Sequence, residues 1–164
     1  MSRSSPRRWI RRNDYEVFRY DFDDPRGTKI SNKLLPNYLA SKKGNCVSMP
    51  LLFIVLGQRL GLDVTASTAP EHVFVKYTDS DTGVTYNLEA TSGASPARDA
   101  WIRQQSPMTD EAVANGIYLQ KLTKRETAAV MATTLSENFS ARRDREKMLA
   151  IADAVLPYYP KNVS

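Results

Sequence analysis

GNCVSMPLLFIVLGQRLGL, residues 44–62, holds the only cysteine of the chain and its densest apolar run. From Met49 to Leu60 the apolar positions are too many for a one-sided stripe, so the run reads as a helix buried on most sides. Gly61 closes it, as a glycine just past a helix C-terminus does. Pro50 fixes the other end. Proline fits a helix only in its first turn, so the helix begins a few residues earlier and Cys46 lies at or just before its N-terminus. There the unpaired backbone N–H groups and the helix dipole favour a thiolate and could stabilise an oxyanion. The competing reading is an inert thiol, because free cysteine is among the most buried residue types.

Three runs rich in β-branched and aromatic residues follow: LDVTASTA (62–69), HVFVKYT (72–78) and VTYNLEAT (84–91). They read as a small antiparallel meander, its last two strands joined by DSDTG in a hairpin-type connection. The second strand carries His72, the only histidine. Side chains alternate along a strand, so His72, Phe74 and Lys76 share one face, as do Thr85, Asn87, Glu89 and Thr91. A register pairing Tyr77 with Val84 puts His72 opposite Glu89, within hydrogen-bond reach. Asn87 lies two residues nearer the turn on the same face. A nucleophile, an imidazole and a carboxylate or amide that holds the second ring nitrogen make a catalytic triad. The alternative is a solvated Glu89 at the sheet edge, and a one-residue slip would turn it to the other face.

The flanks are less informative. Ser31 can cap a helix through NKLLPNYLAS (32–41), which Pro36 would kink or shorten. NDYEVFRYDFDDPRGT (13–28) mixes aromatics and acids and breaks at Pro25-Arg26-Gly27. SPARDAWIRQQSPMT (95–109) reads as a loop with a turn of helix. Thr109-Asp110-Glu111 starts a further helix, and Thr123 with Glu126 forms a capping box. TAAVMATTLSENF and KMLAIADAVL have helical spacing and make a hairpin across the polar bend SARRDRE. Arg142, Arg143, Arg145 and Lys147, interspersed with Asp144 and Glu146, read as a solvated face. Trp9, Trp101 and Tyr158-Tyr159 read as packing residues.

Composition narrows the class. The 164 residues suit one domain with a real core, and 41% hydrophobic with 25% charged residues is ordinary for a globular protein. No apolar run is long enough to span a bilayer, and the N-terminus lacks the apolar core of a secretory signal. A single cysteine forms no internal disulfide and fits a cytoplasmic setting. The net charge of +5 is matched by five arginines within residues 1–12, which read as a solvated basic arm. Nucleic-acid binding through that arm is disfavoured, since no recognition motif accompanies it. One histidine and one cysteine also argue against a zinc or iron site.

The ordered set GNCVSMPLLFIVLGQRLGL, APEHVFVKY and YNLEATSG resembles the transglutaminase-like superfamily, a relative of papain-like proteases. It is most similar to a bacterial branch in which tetratricopeptide-like helices follow the core. The likeness is strongest from Lys42 to Gly93. YDFDDP, AVANGIYLQKL and LPYYPKNVS match more loosely. The resemblance implies an α+β fold: a core over 13–107, with a buried Cys-bearing helix and a small antiparallel sheet, and a helical tail over 108–164. It implies Cys46 as nucleophile, His72 as general base and Glu89 as orienting acid. Aspartate is usual at that last position in the superfamily, which keeps Asn87 as a substitute. Backbone N–H groups around Cys46, with the Asn45 side chain, would face the oxyanion. Such domains cleave or transfer acyl groups at amides of protein or peptide substrates, with no metal or organic cofactor. Some members are inactive, so the alternative is a protein-binding module that uses its helical tail.

Overall fold

The computed structural model describes residues 16–162; the basic arm with Trp9 lies outside them. In chain order the elements begin with β1 (Arg19–Tyr20), α1 (Ile30–Lys33), α2 (Leu35–Ser41), β2 (Lys43–Gly44) and α3 (Ser48–Arg59). Next come β3 (Asp63–Ala69), β4 (His72–Thr78), β5 (Thr85–Glu89), a 3-10 turn (Ala90–Ser92) and β6 (Ser95–Ala97). The helices α4 (Asp99–Gln105), α5 (Asp110–Ala114), α6 (Lys124–Ala141) and α7 (Arg145–Val155) complete the chain. The fold is α+β. A four-stranded antiparallel sheet, ordered β3-β4-β5-β6, lies beside α3 and the C-terminal helices, and β1 pairs with β2 in parallel. Among the described residues no helix is long and apolar enough to cross a membrane.

Strand alternation sorts the sheet into two faces. Val64, Ala66, Val73 and Val75 point to one side, where they share a core with Ile54 of α3. Leu122, Ala129, Val130, Val155 and Tyr159 from the C-terminal segment belong to that same core. The other face carries Ala69 and Phe74, covered by Ile102 of α4 and by Leu119. Full burial of a Val, Ile or Phe side chain is worth about 1.5–3 kcal/mol, so both faces are held. Gly57 lets α3 approach the sheet, because a Cβ there would lie 2.5 Å from Val64 Cγ2. The outer edge of β3 is covered by the 119–122 segment, whose Leu119 and Leu122 N–H groups donate to Thr68 and Ala66 carbonyls (3.0 and 2.9 Å).

Several expectations need correction. NKLLPNYLAS is not one helix capped by Ser31: the chain breaks at extended Leu34 (φ −91°, ψ 125°), and Pro36 sits in the first turn of a second helix. A proline ring tolerated only in a first turn forces that restart. SPARDAWIRQQ, read as a loop with a turn of helix, yields a fourth strand and a seven-residue helix. The β4–β5 register also differs, since Tyr77 pairs with Tyr86 and not with Val84. The Asp79 carboxylate accepts from Asp81 N–H, Thr82 N–H and the Thr82 hydroxyl (3.1, 2.8 and 2.9 Å), while Asp79 N–H donates to the Val84 carbonyl (2.9 Å). These bonds close a loop that shifts the pairing by two residues. A two-residue shift preserves the faces.

Candidate active site

Cys46 follows β2 and precedes the first turn of α3, half-buried. Its neighbours are set by a dense hydrogen-bond box. The Asn45 Oδ1 accepts from Val47 N–H and Ser48 N–H (3.0 and 3.4 Å), and Asn45 N–H donates to Ser48 Oγ (3.1 Å). Ser48 Oγ–H in turn donates to the Asn32 carbonyl (2.6 Å). Asn45 and Ser48 thus cap the helix reciprocally, three residues apart, as in a capping box. Gly44 is required beneath them, because a Cβ would meet Ser48 Oγ at 2.5 Å and the Tyr38 ring at 2.6 Å.

YDFDDPRG braces this box from outside. Asn32 Nδ2 bridges the buried carboxylates of Asp21 and Asp24 (2.8 and 2.9 Å). Asp24 also accepts from Thr28 N–H and Lys29 N–H (2.9 and 3.0 Å). Burial would raise the Asp24 carboxyl, but the bonds from Lys29, Thr28 and Asn32 outweigh it and hold its pKa below the usual value. The turn ends at Gly27, which packs against Asn45: a Cβ there would lie 2.8 Å from Asn45 Nδ2.

The capping box changes the expected set of oxyanion donors. Val47 and Ser48 N–H groups are already engaged by Asn45 Oδ1, so they do not face an incoming carbonyl. Among the described residues the Cys46 N–H has no hydrogen-bond partner, and Asn45 Nδ2 is buried without one.

His72 is the first residue of β4, reached through the tight turn Pro70-Glu71 in which Glu71 adopts φ 57°. Its Nε2 lies 2.7 Å from Glu89 Oε2. That leaves Nδ1 free of Glu89, and Cys46 lines the same cleft as His72. The Cys46 Sγ also lies 3.9 Å from the Glu71 carbonyl. Burial alone would lower the His72 pKa, but the bonds to Cys46 and then Glu89 outweigh it, lifting the value from 6.5 to about 9. The imidazole is therefore cationic at neutral pH.

Glu89 is buried, and its second oxygen is fully used: Oε1 accepts from Thr91 N–H (3.1 Å) and from the Thr91 hydroxyl (2.7 Å). Burial raises the Glu89 pKa, but the bonds from His72 and Thr91 prevail and lower it. The carboxylate stays anionic and oriented.

Asn87 does not reach the imidazole. It accepts from Lys76 Nζ (2.6 Å), and its Nδ2 donates to Asp99 Oδ1 (2.6 Å) and to the Ala97 carbonyl (3.1 Å). The strand alternation puts it on the His72 face, but its hydrogen bonds run to α4 instead. Phe74 stacks beside His72 (centroids 6.4 Å apart, planes at 16°), with Lys76 Nζ 5.7 Å from the same ring. Burial holds the Lys76 pKa below the usual lysine value, against the opposing pull of Asp99.

A family model described as the transglutaminase-like superfamily matches residues 7–141. The chain belongs to this superfamily. The match includes the Cys46, His72 and Glu89 positions and extends into α6. Neither the curated proteins nor the solved structures contain a significant match.

Two clefts border His72 in this transglutaminase-like domain. The first, about 630 Å³, is lined by Asn45, Cys46, His72 and the face of α6 that carries Thr133 and Thr134. The second, about 620 Å³, is lined by His72, Glu89, Thr91 and Trp101. Pro70, Glu71 and His72 border both, as the ridge between them. Trp101 reads from the sequence as a packing residue. It is 45% exposed because α4 buries the next residue, Ile102, instead.

Sequence reasoning also missed Ser48, Asn32, Asp24 and Thr91. Asn45-x-x-Ser48 carried a signal, since its spacing is that of a capping box. The Asp24–Asn32 contact left none, as it joins a loop to a separate helix.

Proposed function

We propose that this protein is a cysteine-dependent amide hydrolase or acyl transferase acting on proteins or peptides, with Cys46 as nucleophile. The observation that carries this reading is the 2.7 Å contact between His72 Nε2 and Glu89 Oε2, with Cys46 lining the same cleft as His72. His72, with a pKa of about 9, can hold the thiol proton at neutral pH. The sulfur then attacks the amide carbonyl, forming a C–S bond and an oxyanion. Cys46 N–H, without a partner among the described residues, is the donor available to it, whereas Asn45 Nδ2 is fully buried against Gly27 and would reach it only if the turn shifted. As the intermediate collapses, the C–N bond breaks and His72 gives its proton to the departing nitrogen. Water or an amine attacks the thioester and loses a proton to His72, and the thiol is restored. Glu89, held by Thr91, fixes the imidazole tautomer throughout.

The test is exposure of the purified protein to short peptide thioesters, followed by mass spectrometry. An acyl adduct on Cys46 that forms in the wild type and fails in a folded His72→Ala variant supports the reading. Equal labelling of both overturns it. The reading of a binding module without turnover draws on the exposed Leu149, Leu156 and Tyr158 around α7. It predicts that Cys46→Ala retains full function in cells, which the catalytic reading forbids.

A further inference from the structure

We infer that the Cys46 cleft selects an acyl group that carries a carboxylate, and that Arg26 is the residue that holds this carboxylate. This inference rests on the catalytic reading above. Arg26 belongs to the YDFDDPRG turn that braces Asn45. Its backbone is fixed on both sides: Tyr20 Oη–H donates to the Pro25 carbonyl (3.0 Å), and Gly27 N–H donates to the Asp24 carbonyl (2.9 Å). Gly27 packs on Asn45, which directly precedes Cys46. The turn also lies close enough to the thiol to feel its charge. The Tyr20 pKa is raised by burial first, and then by the charges of Cys46, Asp24 and Asp21. Arg26 thus enters the wall of the Cys46 cleft from a fixed turn, and it does not line the second cleft.

The other charges of this cleft are already committed. Lys33 pairs with Glu137 of α6, which lines the same cleft. Lys161 Nζ donates to the Asn115 carbonyl (2.8 Å). Glu71 is exposed on the ridge and lines both clefts. Arg26 is exposed and, among the described residues, has neither a hydrogen-bond nor an ion-pair partner. With Glu137 neutralised by Lys33, the two cations Arg26 and Lys161 outweigh Glu71. A thiolate on Cys46 and an imidazolium on His72 together add no net charge, so they do not repel an anion. An unpaired guanidinium presents a planar fork of donors that matches a carboxylate with two parallel bonds. The acyl carbon is fixed at the Cys46 sulfur, so the carboxylate that Arg26 holds lies a few bonds further along the acyl group. An acidic side chain or the far end of a dicarboxylic acyl group has that form.

The first experiment needs no turnover. Iodoacetate and iodoacetamide differ only in a carboxylate or an amide, and each loses iodide to the sulfur of the single cysteine, which intact mass reports. The ratio of the two rates cancels any change in the thiolate population. At pH 7 and low ionic strength, Arg26→Gln should lower the iodoacetate-to-iodoacetamide ratio by about threefold, within the range of one exposed ion pair. Arg26→Lys should keep most of the ratio, because the charge remains. Salt at about 0.5 M should bring the wild type and Arg26→Gln together. A ratio that Arg26→Gln leaves unchanged, or one that falls only with Lys161→Gln, overturns the inference. The second experiment reads acyl selection with S-methyl thioesters of the adipoyl and adipamoyl groups, which differ only in a terminal carboxylate or amide. The Cys46 sulfur attacks the carbonyl, the bond to the methylthio sulfur breaks, and His72 gives its proton to the departing methanethiolate. The adipoyl adduct should form about threefold faster than the adipamoyl adduct in the wild type, and at the same rate in Arg26→Gln. Equal rates in the wild type overturn the inference. If neither adduct forms, the catalytic reading is refuted instead, and the role of Arg26 stands or falls on the alkylation ratio.

Discussion

Replacing Glu89 with Gln removes the charge that holds His72, and the structure gives the size of the effect. His72 is raised from 6.5 to about 9 in a setting where its side chain is 20% exposed. At about 1.4 kcal/mol for each tenfold change in proton affinity, that gap is worth about 3 kcal/mol of folding stability. The sign follows from linkage. The folded pKa lies above the unfolded one, so the contribution is complete below pH 6.5 and fades as pH rises through about 9. Cys46 and Glu89 share the lift, and Gln can still meet the ring with a neutral oxygen. Glu89→Gln should therefore lower the His72 midpoint by about one pH unit or more, as loss of an adjacent opposite charge does. It should cost about 1–3 kcal/mol of stability at pH 6 and much less at pH 10. With a single histidine in the chain, the ring-proton resonances titrate without overlap in an NMR experiment. Urea unfolding at pH 6, 8 and 10 gives the stability. A wild-type midpoint at or below 6.5, or a Glu89→Gln midpoint equal to the wild type, refutes the reasoning.

Two further changes test how α3 and its cap are held. Gly57→Ala should destabilise the protein by about 1–2 kcal/mol in urea unfolding, because overpacking against buried Val64 outweighs the better helix propensity of alanine. A variant as stable as the wild type would mean that the close approach is absent. Ser48→Ala leaves the Asn32 carbonyl and the Asn45 N–H without their partner, at a cost of about 1–3 kcal/mol, and should slow acylation of Cys46 because the turn that holds it loosens. Unchanged stability and unchanged acylation together would remove Ser48 from the account.

The nucleophile's helix was legible because Pro50 and Gly61 act through local sterics that no tertiary contact overrides. The face shared by His72 and Glu89 was legible for a different reason. Strand alternation has a period of two, so the two-residue register error left parity intact. The register itself was hidden, since it depends on the bonds that Asp79 makes within the loop. Asn87 shows the limit of alternation: it puts a side chain on the right face but does not say which neighbour competes for it. Lys76 and Asp99 won that competition, and Asp99 lies in a segment whose helix was not foreseen beyond a single turn. Trp101 is half-exposed because the adjacent Ile102 occupies the inward position.

The central claim is that His72 activates Cys46. Because the chain has one cysteine, alkylation by iodoacetamide followed by intact mass reports on that thiol alone. At pH 7 the wild-type rate should exceed that of folded His72→Ala by at least about tenfold, with Glu89→Gln between them. Equal rates in all three proteins would contradict the account.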